Sequence, residues 1–97
     1  MDIDLGSIEV TDNPDKNRFE APVGDQMAVL DYRRLGEKLM LTHTEVPSAA
    51  REQGVGSEVV KTALDEARSQ GLKVVPRCPF VWHYIDEHPE YEALVAE

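Results

Sequence analysis

Thr42-His43-Thr44-Glu45-Val46-Pro47-Ser48-Ala49-Ala50-Arg51-Glu52-Gln53-Gly54-Val55-Gly56-Ser57 reads as the end of a strand, a loop that gathers backbone amides, and the start of a helix. Gly54 and Gly56 remove side chains where loop becomes helix. Unpaired N–H groups and the positive end of the helix dipole can then face an anion at close range. The pattern Arg51-x-x-Gly54-x-Gly56 is a phosphate cradle in outline. Taken alone it fits a plain turn as well, because glycines are common near helix starts. Its setting, after a run ending at Val46-Pro47 and before a long amphipathic segment, is the one a pyrophosphate site needs. It is not a P-loop, since no Lys-Ser or Lys-Thr follows the second glycine, and it lacks the third glycine of a dinucleotide fingerprint.

Upstream of this stretch the chain alternates short apolar runs with turn formers. Residues 1–7 read as frayed. Ser7 to Thr11 and Arg18 to Val23 read as strands joined by Asp12-Asn13-Pro14-Asp15-Lys16-Asn17; Gln26 to Arg34 and Lys38 to Val46 follow, separated by Gly24-Asp25 and Gly36-Glu37. The result is an antiparallel meander. Period-two alternation in its last strand puts Leu39, Leu41, His43 and Glu45 on one face and Met40, Thr42, Thr44 and Val46 on the other. His43 therefore falls in line with apolar neighbours, where a hydrogen-bonded core histidine is the ordinary outcome.

Downstream, Val55, Val59, Val60, Ala63, Leu64 and Ala67 recur at helical spacing, so Gly54 to Gln70 reads as a helix covering a sheet, ended by Gly71. Leu72 to Val75 reads as a strand, and a strand, helix and strand of this length form a crossover with two parallel strands. Pro79 suits the first position of a second helix, which makes Cys78 its flanking residue. A thiol there feels the dipole and the amides of the helix start, which enriches the nucleophilic thiolate; the plain alternative is a buried cysteine acting as a small apolar residue. Phe80, Val81, Tyr84 and Ile85 give this helix an apolar face, His83 points to solvent, and His88-Pro89-Glu90-Tyr91 forms its exit.

At 97 residues the chain is one domain over residues 1–97, able to bury about 60% of its unfolded surface. Its 41% hydrophobic and 30% charged residues set it apart from disordered chains. A net charge of -9 argues against nucleic-acid binding and favours cationic partners, or simply serves solubility. The sequence has no apolar run of membrane-spanning length and an acidic start unlike a signal peptide, so the expected location is cytoplasmic. The single cysteine rules out an internal disulfide and a multi-thiolate zinc site, and no metal is expected.

His43-Thr44-Glu45-Val46-Pro47, Arg51-x-x-Gly54-x-Gly56, Pro76-x-Cys78-Pro79-Phe80-Val81 and His88-Pro89-x-Tyr91 occur in that order. Together, over residues 8–91, they resemble the short stand-alone members of the GNAT acyltransferase superfamily. The resemblance implies an α+β (mixed α/β) domain with a reduced GNAT-like fold: an antiparallel meander, a helix crossover, a parallel strand and a C-terminal helix. Longer members add an N-terminal helical pair and two last strands that shape the acceptor site. Here that side is expected to be open or completed by another chain.

The same resemblance implies a site for acetyl-CoA or coenzyme A. The amides of Gln53, Gly54, Val55, Gly56 and Ser57 would hold the pyrophosphate, with Arg51 near the phosphates. Val46 would pair through its backbone with the pantetheine arm at a splayed strand end, and Tyr84 would serve the departing sulfur as a general acid. Glu52 stands where many relatives have glycine and adds a carboxylate beside the phosphates. The implied activity is N-acetyl transfer to a small or protein amine, with Cys78 and His43 as catalytic residues. In direct transfer His43 or Glu45 removes the amine proton; in covalent transfer Cys78 accepts the acetyl group first, assisted by His43. A non-catalytic CoA-binding or protein-interaction module is the alternative, and a thioesterase using water at Cys78 is a third reading. The chain is expected to be a monomer or a weak homo-oligomer.

Overall fold

The computed structural model describes residues 8–51 and 53–96; the frayed start expected over residues 1–7 and the carboxylate of Glu52 lie outside the described residues. Strands β1 (Thr11–Asn13), β2 (Arg18–Val23), β3 (Gln26–Leu35) and β4 (Lys38–Glu45) form the antiparallel meander, and β5 (Lys73–Pro76) joins β4 in parallel to give the order β1-β2-β3-β4-β5. Gly24 and Gly36, both at φ 63°, allow two-residue turns between the facing pairs Val23 and Gln26, and Leu35 and Lys38. The first strand lies at Thr11–Asn13 and not at Ser7 to Thr11. Side chains read as turn formers find partners across the sheet instead: Asn13 donates to Glu20 at 3.1 Å, and the Tyr32 hydroxyl donates to Asp12 at 2.5 Å. The turn therefore shrinks to residues 14–17, where the Lys16 and Asn17 amides donate back to the Asn13 and Pro14 carbonyls.

One sheet face is covered by α1 (Val55–Ser69) and α2 (Pro79–Glu87). It contributes Phe19, Ala21 and Val23 from β2, Ala28, Leu30 and Tyr32 from β3, Leu39 and Leu41 from β4, and Val74 from β5, all buried with the apolar stripe of α1. A fully buried Leu or Val of this kind contributes about 1.5–3 kcal/mol of transfer free energy. A Schellman motif closes α1. Gly71, at φ 71°, donates to the Arg68 carbonyl, and Leu72 donates to that of Ala67 at 2.9 Å. That motif uses Leu72, so β5 starts one residue later than the spacing predicts.

The regular alternation of β4 breaks at Thr42. Tyr32 faces Leu41, but the next residue, Asp31, faces His43, so Thr42 is an extra residue held by its hydroxyl donating to the Asp31 carbonyl at 3.2 Å. Beyond this bulge the faces exchange. Thr44 pairs with Leu30 on the helix-covered side, while His43 and Glu45 pair with Asp31 and Val29 on the open side and are exposed. Period-two alternation is thus right for Leu39 and Leu41 and wrong for His43 and Glu45.

After α2 a 3-10 turn (Pro89–Leu94) returns the chain to the sheet. The Tyr91 hydroxyl donates to Asp65 of α1 at 2.7 Å, and the Arg68 guanidinium lies 4.8 Å from the centre of the Tyr91 ring. Val95 then bridges Val74 in parallel and Ala96 donates to the Val74 carbonyl at 2.8 Å, so the outer edge of β5 is capped. No helix among the described residues is long and apolar enough to cross a membrane.

Candidate functional site

β4 and β5 run side by side only from Lys38 and Lys73 to Leu41 and Pro76. At that point the amides of Arg77 and Cys78 both donate to the Leu41 carbonyl, at 2.9 and 3.0 Å, and the chain turns into α2 while β4 continues to Glu45. The strands diverge as a V. A cavity of about 460 Å³ opens in the gap, a size typical of small-molecule sites. One wall is the β4 end, His43 to Val46; the others are the start of α1 with Gly54, Gly56 and Ser57, the Arg51 loop, and Phe80 of α2.

The helix-start wall has the features an anion needs. Val55, Gly56 and Ser57 are the first three residues of α1, so helix geometry gives their N–H groups no acceptor in a preceding turn; Glu58 is the first to close one, on Gly54 at 3.1 Å. Gly54 enters the helix at φ 82°, a left-handed conformation that glycine adopts without strain. A Cβ on Gly56 would stand 3.0 Å from the Phe80 ring and 3.2 Å from a Val46 methyl, so these two cleft walls can pack this closely on the helix start because residue 56 is glycine.

Arg51 places an exposed guanidinium on the same cleft and donates through Nε to the Val46 carbonyl at 3.1 Å. Gln53 departs from the expected cradle. Its amide donates to the Ala50 carbonyl at 3.1 Å, because the single 3-10 turn at Ser48–Ala50 folds that carbonyl beneath it.

Cys78 caps α2 and is 5% exposed. Its sulfur lies 3.4 Å from the Thr44 hydroxyl, and since Thr44 itself lines the cleft, Cys78 sits one side chain behind the wall. Burial pushes the thiol up. The Thr44 hydroxyl and then the amides of Val81, Phe80 and Thr44 outweigh it, and the thiol ends below its ordinary value. None of the α2 amides closes a full cap hydrogen bond to the sulfur.

The bulge decides which residue meets this thiol. His43, the expected partner, is on the opposite sheet face; Thr44 takes its place. No sequence signal singles out Thr44, because Thr42-His43-Thr44 is polar throughout and fits either register. Tyr84 is also not a cleft wall. Its ring stacks on His88 at 4.1 Å and lies 6.0 Å from Tyr91, in the seam between α2 and the C-terminal turn. Burial, then the carboxylates of Asp65, Glu58 and Glu90, push its hydroxyl up and keep it protonated. His83 is exposed as expected, 3.0 Å from Glu87.

Comparison with known proteins agrees with this fold. The family model described as GCN5-related N-acetyl-transferase matches residues 18–94. Protein NATD1 of Mus musculus is 32% identical over 87 residues, which cover 87% of this chain and 79% of that protein. Protein NATD1 of Xenopus tropicalis is 33% identical over 86 residues, covering 86% and 79%. The NMR solution structure of a GCN5-like protein from Staphylococcus aureus superposes with a TM-score of 0.71 over 91% of this chain and 87% of that one; at 24% identity this likeness concerns the fold.

Proposed function

Because the chain belongs to the GCN5-related N-acetyl-transferase family, we propose that it binds acetyl-CoA along the V-shaped cleft and moves the acetyl group to an amine. The observation that carries this reading is the divergence of β4 from β5 after Leu41, which opens a cleft with a glycine-lined helix start on one wall and a partnered thiol behind another. Val55, Gly56 and Ser57 would hold the pyrophosphate through their amides and the positive end of α1. Arg51 would add a cation beside it, and the backbone of Val46 would pair with the pantetheine arm once Arg51 releases its carbonyl. Acetyl-CoA supplies the acetyl group as an activated thioester.

The chain's own groups divide the remaining work. Cys78 is the nucleophile favoured by its contacts: its sulfur is held between Thr44 and the start of α2. The sulfur–carbonyl bond would form as the CoA sulfur leaves with its electron pair and takes up the proton given up by the Cys78 thiol, and would break, returning its electron pair to the Cys78 sulfur, when the amine nitrogen replaces it. His43 and Glu45, exposed at the cleft mouth, would take the proton that the amine loses and pass it to water.

Calorimetric titration with acetyl-CoA and with free CoA tests the site, repeated on Gly56→Glu, whose carboxylate opposes a phosphate at the helix start. Saturable binding, lost in the variant, is the expected result, followed by release of free CoA when primary amines are added. Absence of binding at millimolar concentration would overturn the reading. Binding without CoA release for any amine would replace transfer by a non-catalytic binding role.

A further inference from the structure

We propose that Thr44 is the positioning residue for Cys78: the bulge at Thr42 turns Thr44 onto the helix-covered face, where its hydroxyl stands 3.4 Å from the Cys78 sulfur and holds it against the inner wall of the cleft. This rests on the reading of Cys78 as the chain's nucleophile. A regular strand would send Thr44 to the open face and leave the sulfur without a side-chain partner. One extra residue reverses that outcome.

The sulfur needs such a partner because Cys78 is buried, 5% exposed, within the apolar cluster that includes Leu41 and Val81. A buried anion without donors is costly. Among the described residues, the groups that most favour the thiolate against the cost of burial are the Thr44 hydroxyl and then the amides of Val81, Phe80 and Thr44. His43 and Glu45 of β4 stand on the other face, Arg77 before α2 and His83 within it are exposed, and Glu58 in the first turn of α1 is half-buried. The work of stabilising the thiolate by a side chain therefore falls to one hydroxyl.

A hydroxyl also suits both states of the sulfur. It accepts from the S–H of the thiol and donates to the thiolate, and rotation about one bond changes its role. The sulfur can thus lose and regain its proton, or release a bound group, without leaving a buried polar atom unpaired. Valine at position 44 has the same shape and neither capacity; serine retains both.

The test follows the thiolate absorbance near 240 nm with pH in the ligand-free protein, in the wild type, Thr44→Val and Thr44→Ser; Cys78 is the only cysteine, and subtracting the titration of Cys78→Ala removes the tyrosinate absorbance of the three tyrosines. The Thr44→Val midpoint is expected to rise by about one pH unit, a roughly tenfold loss of thiolate at neutral pH, with Thr44→Ser within a few tenths of wild type. Alkylation of Cys78 by iodoacetamide should slow in the same order. Coincident titrations of Thr44→Val and wild type would overturn the assignment, as would a serine variant that behaves like valine. If Thr44→Val does not fold, the comparison of Thr44→Ser with Thr44→Ala decides in the same way. Because no acetyl-CoA enters this measurement, its outcome answers for Thr44 alone, while the acetyl-CoA titration answers for the cleft.

Discussion

Replacing Gly56 with alanine separates the proposed anion site from the fold that would carry it. The added Cβ would stand 3.0 Å from the Phe80 ring edge and 3.2 Å from a Val46 methyl, both in the cleft. Against this crowding, alanine in the first turn of α1 gains about 1 kcal/mol of helix propensity over glycine. Overpacking costs about 1–3 kcal/mol in a closed core. Phe80 is 41% exposed at the start of α2, so its ring can swing outward and the cost falls at the low end. The two contributions nearly cancel, and stability should change by no more than about 1 kcal/mol, or roughly 4–8 °C in the thermal midpoint.

Binding has no such compensation. The methyl group would displace Phe80 and Val46, which line the cleft beside the amides proposed to hold the phosphate, and each hydrogen bond to a charged group is worth about 1.5–3 kcal/mol. Losing one of them outright weakens acetyl-CoA binding by at least about tenfold, and losing two by at least about a hundredfold. Calorimetry on Gly56→Ala beside a thermal melt reads both quantities. A variant that melts with the wild type and binds acetyl-CoA within about threefold of it would refute the placement of the pyrophosphate on the start of α1.

Two further changes probe the loop and the C-terminal seam. Arg51→Ala removes the cation on the cleft and frees the Val46 carbonyl; acetyl-CoA binding should weaken by about fivefold to tenfold at low salt, and the difference should shrink near 0.5 M salt, where exposed charges are screened. Tyr91→Phe removes the 2.7 Å hydrogen bond to Asp65 and should cost about 1 kcal/mol of stability at neutral pH, read by urea denaturation. Burial, then the hydrogen bond to Asp65, raises the Tyr91 hydroxyl in the folded chain to about 12. Its contribution is therefore fully present below the unfolded value near 10 and is lost as pH rises toward about 12. Tyr32 is raised in the same direction, by burial and by Asp12, so the alkaline loss in Tyr91→Phe should become shallower without vanishing.

Much of this architecture is legible because single residues force it. Gly24 and Gly36 set two-residue turns, the apolar stripe from Val55 to Ala67 sets α1, Gly71 ends it, and Pro79 starts α2 with Cys78 as its cap. Arg51-x-x-Gly54-x-Gly56 marks the helix-start wall of the cleft for the same local reason. What escapes a linear reading depends on partners far along the chain. Asn13 and Asp12 read as turn residues until their hydrogen bonds with Glu20 and Tyr32 are seen. The Gln53 amide reads as part of the cradle until the Ser48–Ala50 turn offers it the Ala50 carbonyl. Tyr84 reads as reaching a cofactor until His88 and Tyr91 claim its ring. The bulge is the deepest case, since it is defined by what β3 places opposite β4 and leaves no mark on β4 itself.

That one extra residue reconciles demands that a regular strand cannot meet together. Leu39 and Leu41 must face α1, because the core of a chain this small has no apolar surface to spare. Continued alternation would then carry His43 and Glu45 inward, burying an imidazole and a carboxylate among apolar groups at a cost of several kcal/mol for the charge. The same register would turn Thr44 to solvent and strand the Cys78 sulfur. With Thr42 inserted, the thiol receives a neutral hydroxyl on the dry side, and the groups able to accept a proton from an amine stand on the wet side, two residues apart on one strand. The separation also fits the chemistry proposed here: a thiolate is the stronger nucleophile away from water, whereas a base that must pass its proton on needs water within reach.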